Sequence, residues 1–347
     1  MPYLLYLQAL VAFAVMASVA YIGVRMFRRW GLSRKILDHP NSRSSHDRPT
    51  ARGGGIVIVI LSLAAYAFFG FLHPDSFSWG YLAGAALVAA VSWLDDLYSL
   101  SFGWRLAVHA LGSVLLIADT GYFNLVTFPL GSYTFEIGVA GPVFTVAWLI
   151  WMINAYNFMD GTDGIAALQA INAGAGWIAL AIVFDADLLL KFSTALTAAS
   201  FGFLLLNWQP ARIFMGDVGS AFLGFTFGAL PLLATREVPV AAGIFPIVGI
   251  IFVWPFIFDT VLTFVRRLAK GHRVWQAHRE HLYQRMVIKG MKHSQVALIF
   301  GSASALLVAE TVLAAIEGGI FVSLLLFSIF ATSLTLAILA RDKKRLT

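Results

Sequence analysis

The chain is laid out as long uncharged runs separated by short polar segments. Eleven runs contain no Lys, Arg, Asp or Glu: 2–24, 53–72, 77–94, 106–118, 137–159, 164–184, 192–211, 218–235, 238–258, 293–309 and 318–340. A helix needs about 20 predominantly apolar residues to cross a bilayer. The pattern therefore predicts an all-α integral membrane protein with about eleven transmembrane helices. The shortest run is 106–118, and the uncharged stretch 120–135 is expected to extend it. The first run has its basic cluster behind it, the reverse of a signal peptide, and is read as a retained span.

Composition sharpens this. Of 347 residues 59% are hydrophobic and 12% charged, and mean hydropathy is +0.81. Soluble proteins carry roughly twice that charge, so a soluble enzyme, a disordered chain and a nucleic-acid binder are excluded despite a pI near 9.6. Cysteine is absent, which removes disulfides, thiolate nucleophiles and cysteine metal sites. Eleven crossings put the segments 25–52, 95–105, 154–164, 207–217, 259–292 and the tail from Arg341 on one side. That side holds all but Lys191 and Arg236 of the 24 Lys and Arg residues. By the positive-inside rule it is cytoplasmic, with the N-terminus outside and the C-terminus in the cytoplasm. The whole chain, 1–347, reads as one polytopic membrane domain whose active site is built from those cytoplasmic loops.

A transporter places ionisable residues mid-span. Here the acids gather at cytoplasmic span ends, so the chemistry belongs at the membrane surface. The first loop holds Arg43, His46, Arg48 and Arg52 ahead of a Gly53-Gly54-Gly55 helix start, the makings of an anion site; a plain positive-inside loop would read the same. Asp95 and Asp96 end an apolar run, where two carboxylates are costly without a cation. Hard oxygens of this kind suit Mg²⁺ completed by substrate phosphates. Asn157, Asp160 and Asp163 are spaced by three, so a helical or tight-turn backbone presents them on one side, suited to a nucleobase edge or sugar hydroxyl. Asp217, at another span end, could complete a divalent-cation site with Asp95 and Asp96. Phe214, near Asn207, could stack on a base. In the basic fifth loop His278 and His281, flanking Arg279, could contact metal or phosphate.

Together these stretches form a motif series: DHPNSRSSHDRPTARGGG from Asp38, WLDDLYS, NAYNFMDGTDG, NWQPARIFMGDVGS, FDT around Asp259, and AHREHLYQR. In this order, over roughly 36–290, the sequence resembles the polyprenyl-phosphate N-acetylhexosamine-1-phosphate transferases. That superfamily also contains the phospho-N-acetylmuramoyl-pentapeptide transferases. The resemblance implies transfer of a sugar-1-phosphate from a UDP-N-acetyl sugar to undecaprenyl phosphate in the bacterial inner membrane, releasing UMP. It implies Mg²⁺, for which Mn²⁺ could substitute, with Asp217 as the main ligand. Asp95 would activate the lipid phosphate as base or nucleophile, and Asp96 would assist. Asn157, Asp160, Asp163, Asn207 and Phe214 would surround the uridine and ribose. His281 matches the first histidine of a family run whose later histidines are Tyr283 and Gln284 here. This disfavours the muramoyl-pentapeptide branch and favours initiation of O-antigen, capsule or another surface glycan. A homodimer is the common assembly in that family. The readings set against this one are the peptidoglycan transferase and a nucleotide-sugar transporter.

Overall fold

The computed structural model describes residues 2–38, 49–128, 133–273, 278–318 and 320–341. Its helices are α1 (Pro2–Ser33), α2 (Ile56–Leu72), α3 (Trp79–Tyr98), α4 (Phe102–Thr120), α5 (Gly141–Met159), α6 (Ile165–Val183), α7 (Asp187–Asn207), α8 (Asp217–Glu237), α9 (Phe245–Phe252), α10 (Trp254–Ala269), α11 (Leu282–Ile288), α12 (His293–Glu317) and α13 (Ile320–Ala340). Short strands β1 (Leu37–Asp38) and β2 (Thr50–Ala51) pair antiparallel, as do β3 (Leu125–Phe128) and β4 (Tyr133–Glu136). Among the described residues, nine helices are long and apolar enough to cross a membrane, and α2 is a shorter apolar helix.

The run 238–258 differs from the straight span expected. It is divided between α9 and α10, which meet at Val253 with a bend of 80°. The carbonyl of Phe252 is thereby taken out of the helical ladder. Inside a bilayer such a group must find a protein donor. Gln169 Nε2, from α6, donates to it at 2.8 Å and also to Ser304 Oγ of α12 at 3.0 Å. A second correction concerns 120–135. Instead of lengthening α4, the chain leaves the helix at Gly121 (φ +82°) and forms the β3–β4 hairpin.

Helix α8 is the axis of the bundle, buried along almost its entire length against α3 and α5. Its C-terminal end ties the opposite membrane face together. Glu237 accepts the first backbone N–H groups of α7, from Leu188 at 2.9 Å and Leu189 at 3.0 Å. Arg236 pairs with Asp119, whose carboxylate also holds Gly80 N and Ser78 Oγ at the start of α3. Its N-terminal end carries Asp217. Orientation is directly testable because the chain has no native cysteine. Lys270→Cys and Val240→Cys lie on exposed positions at opposite ends of the bundle. In intact cells an impermeant maleimide is expected to label Val240→Cys only. Labelling of Lys270→Cys from outside would invert the topology.

Candidate active site

Four segments converge at the Asp217 end. Phe214 N donates to Ala51 O at 2.8 Å, while Gly54 N and Gly55 N donate to Phe214 O and Met215 O, each at 2.9 Å. This short ladder brings Arg52 against α8. The approach requires glycine: a Cβ on Gly55 would stand 2.4 Å from Gly219 Cα, and one on Gly216 (φ +77°) would meet Asp96 Oδ2 at 2.6 Å. The side chain of Asp96 is fully buried. Its Oδ1 accepts Asp217 N at 2.9 Å and its Oδ2 accepts Val218 N at 3.0 Å, so it caps α8 from α3.

Two arginines complete the cluster. Arg52 reaches Asp96 Oδ1 through Nε at 2.8 Å and Asp217 Oδ1 through Nη2 at 2.7 Å. Arg105, from α4, places Nη1 2.6 Å from Asp95 Oδ2 and 3.5 Å from Asp217 Oδ2. Leu100 N fixes the other Asp95 oxygen at 2.7 Å. Asn157 Nδ2 donates to Asp217 Oδ2 at 3.3 Å, and its Oδ1 accepts from Ser220 Oγ at 3.3 Å. Asp160 is half-buried, and among the described residues no side-chain partner is seen for its carboxyl. Burial, then the negative field of Asp217, pushes that carboxyl well above the usual range.

The donor chemistry fits a hard cation. Asp95 and Asp217 both approach Nη1 of Arg105, at 2.6 and 3.5 Å, a juxtaposition of carboxyl groups that a further cation would stabilise. The third member of the expected trio, Asp96, has a structural use: Oδ1 accepts Asp217 N and Arg52 Nε, and Oδ2 accepts Val218 N. No three His, Asp or Glu side chains form a metal cage among the described residues. Mg²⁺ needs only one or two carboxylates when phosphates supply the remaining oxygens.

Asn157, Asp160 and Asp163 do not share one side. Asp163 turns away and accepts Ala211 N at 3.0 Å, with His293 Nδ1 at 3.2 Å from its other oxygen. Asn207 is spent likewise, accepting Gly164 N and donating to Ile213 O, both at 2.9 Å. These two residues hold the loops in register. Phe214 is half-buried with its backbone in the ladder. Arg43, His46 and Arg48 lie outside the described residues.

A second arm comes from α10. Buried Asp259 accepts Thr263 Oγ1, Leu282 N and Tyr283 N, and its Oδ1 lies 3.0 Å from His281 Nδ1. A carboxylate only accepts, so Nδ1 of His281 carries the hydrogen and Nε2 is left for other contacts. His278 stacks on His281 with ring centroids 4.9 Å apart, Arg279 beside it is half-buried, and buried Arg267 pairs with Glu280. His278, His281, Arg267 and Asn154 form the polar end of a cavity of about 450 Å³ between α4, α5 and α10, walled elsewhere by Leu106, Ile150, Trp151 and Phe264. Phe102, Leu106 and Asn154 also wall a small void on whose other sides lie Arg105, Asn157 and Asp217.

Sequence reasoning gave no role of their own to Arg105, Asp259 or Arg267, and read Arg52 only as part of an anion-binding loop. Signals existed for two of them. Arg105 is the lone cation of its loop, and Asp259 is the lone acid between Val238 and Leu268.

An apolar cavity with a basic end, beside a cluster of acids and arginines at one end of a helical membrane bundle, defines a class: membrane enzymes that handle lipid-borne anions. Comparison with known proteins makes this specific. Residues 78–235 match the model of glycosyl transferase family 4. An undecaprenyl-phosphate alpha-N-acetylglucosaminyl 1-phosphate transferase of Yersinia pestis is 30% identical over 301 residues, 84% of this chain and 79% of that protein. A probable undecaprenyl-phosphate N-acetylglucosaminyl 1-phosphate transferase of Bacillus subtilis is 29% identical over 294 residues, 84% and 81% of the two chains. A decaprenyl-phosphate N-acetylglucosaminephosphotransferase of Mycolicibacterium smegmatis is 28% identical over 331 residues, 83% and 80%. The chain belongs to glycosyl transferase family 4, in the superfamily of polyprenyl-phosphate N-acetylhexosamine-1-phosphate transferases.

The histidine pair carries a pH signature. Burial, then the positive fields of His281 and Arg267, pushes His278 down to about 4. Unfolded histidine titrates near 6.5. Between these values the unfolded chain binds a proton that the folded chain refuses, so this contribution is complete above about pH 6.5 and is lost as pH falls toward 4. Thermal melts from pH 7.5 to 4.5 are expected to show a smaller fall in Tm for His278→Gln than for the parent. Equal falls would contradict this.

Proposed function

We propose that this protein transfers an N-acetylhexosamine-1-phosphate from a UDP-sugar to undecaprenyl phosphate, at the cytoplasmic face of a bacterial inner membrane, and so initiates a lipid-linked surface glycan. The observation that carries this reading is the adjacency of the apolar cavity to the acid–arginine cluster, with Phe102, Leu106 and Asn154 as their common wall. A polyprenyl chain suits the wall of Leu106, Ile150, Trp151 and Phe264, and its phosphate suits the end formed by Arg267, His278 and His281. The nucleotide suits the neighbouring side, where Asn157 and Asp160 face Asp217.

In the reaction an oxygen of the lipid phosphate attacks the β-phosphorus of the UDP-sugar. A new P–O bond joins lipid and sugar phosphate, and the bond from that phosphorus to the bridging oxygen breaks, leaving with UMP. A phosphate monoester has its second pKa near 6 and is largely ionised at neutral pH, so the attack needs no strong base. Both Asp95 oxygens are already engaged, by Arg105 and Leu100 N. That suits an anchor for Arg105 better than a nucleophile. Arg52 and Arg105 offset the charge of two anionic substrates, and preorganised groups of this kind are worth about a hundredfold or more in turnover. Asp217 and Asp95 would hold Mg²⁺, which when bound polarises the diphosphate.

The decisive assay measures UMP release by purified protein given undecaprenyl phosphate and a panel of UDP-sugars. Release with one N-acetylhexosamine donor, abolished by EDTA and by Asp217→Asn with the fold intact, is expected. Full activity in EDTA would refute the cation role. Asp95→Asn is expected to lower kcat about a hundredfold while nucleotide affinity by calorimetry stays within about threefold. Asp163→Asn should instead lower Tm, since losing a charged partner in a buried hydrogen bond costs about 1–3 kcal/mol. Lost nucleotide affinity in the Asp95 variant with unchanged Tm in the Asp163 variant would reverse the two roles.

A further inference from the structure

Two buried polar atoms on α4 have no hydrogen-bond partner among the described residues: Arg105 Nε and His109 Nε2. They stand four residues apart, hence on one face of the helix. His109 is 6% exposed. Both residues line the same small void, together with Ser92, Asn154, Asn157 and Asp217, and its volume is about 10 Å³. That is close to the smallest space that holds one water, and the lining offers the two to four polar partners such a water needs. Arg105 Nε can only donate, whereas a neutral imidazole has one nitrogen that accepts. A water between them would accept from the guanidinium and donate to the imidazole.

We propose that His109 is a positioning residue for phosphoryl transfer, holding Arg105 Nε through one buried water. The inference rests on the role given above to Arg105. The Nη1 end of the guanidinium bridges Asp95 and Asp217 unequally, at 2.6 and 3.5 Å. Two carboxylate contacts through a single nitrogen leave the plane free to turn. A hold on Nε removes that freedom and aims the charge at the phosphates. Misplacing a positioning group by about 1 Å can cost up to a hundredfold in rate, so a remote histidine can govern turnover without touching substrate.

The test uses the full chain in lipid nanodiscs with Mg²⁺, UDP-N-acetylglucosamine and undecaprenyl phosphate, reading UMP release. Arg105→Lys keeps the charge, removes Nε and is expected to lower kcat about a hundredfold. His109→Phe is expected to lower kcat about tenfold, with KM for the nucleotide sugar within about twofold and Tm within about 2 °C. His109→Gln, which retains an accepting atom, should recover most of the loss. The double variant with Arg105→Lys should be no slower than Arg105→Lys alone. An unchanged kcat in Arg105→Lys would remove the role of Arg105 on which the inference rests. A slow Arg105→Lys beside a silent or fully multiplicative His109→Phe would overturn the histidine's role alone. If His109→Phe does not fold, His109→Leu replaces it, and a high-resolution cryo-microscopy map decides the water. Ordered density between Nε and Nε2 supports the proposal, and a bare void refutes it.

Discussion

The site depends on one buried carboxylate. Helix α8 runs through the centre of the bundle, and its first N–H groups open into protein, where water cannot satisfy them. Asp96 supplies the cap from another helix, taking Asp217 N and Val218 N on separate oxygens while Arg52 balances its charge. The field at a helix N-terminus favours a negative group there. This arrangement locks the end of α3, the segment 51–55 and the start of α8 at hydrogen-bond distance. Asp95, one residue earlier, points about 100° around the helix and meets Arg105 instead. The tandem acids therefore divide structure from chemistry, with Asp96 holding the frame on which Asp95 and Asp217 are displayed.

The frame also leaves the charges out of balance. Among the described residues four carboxyl groups, Asp95, Asp96, Asp160 and Asp217, face two guanidiniums, Arg52 and Arg105. Burial drives Asp160 toward its neutral form, which sheds part of the excess. The rest falls on Asp95 and Asp217, which share Nη1 of Arg105. Substrates that carry phosphates would be repelled by that pair alone. The surplus is what a divalent cation would correct, and its location beside Arg105 sets where a diphosphate is best accommodated.

The spans were legible because solvation alone dictates them: an uncharged run long enough for a bilayer has few other fates. The break at Val253 was not, since the run 238–258 stays uncharged through it and the stabilising partners, Gln169 and Ser304, lie far away in sequence. Lack of charge was mistaken for helix in 120–135, where Gly121 and the β-prone Val126, Thr127, Phe128, Tyr133 and Phe135 favour a hairpin. In the site, the acids were legible by the cost of placing them at span ends. Their partners were not. Asp163 and Asn207 have the right chemistry for a ligand, yet the fold uses their polar atoms on Ala211 N, His293, Gly164 N and Ile213 O. Residue type announces a polar requirement without saying whether substrate or backbone makes it.

The bend links membrane architecture to the acceptor. A straight continuation of α9 would carry Thr260, Thr263 and Phe264 along the bundle axis. Turned by 80°, α10 instead faces these residues toward α5 and forms one wall of the cavity. The same turn sets the position of Asp259, which fixes His281 and caps α11, so wall and polar end move as one unit. The exposed carbonyl at Phe252 is the cost of that geometry, and in lipid it would be several kcal/mol without a donor. Gln169 supplies the donor from α6, a helix that contributes no side chain to the cavity lining. The shape of the lipid groove is thus set from behind, by an amide that stabilises a broken helix the hydrophobic pattern alone would have left straight.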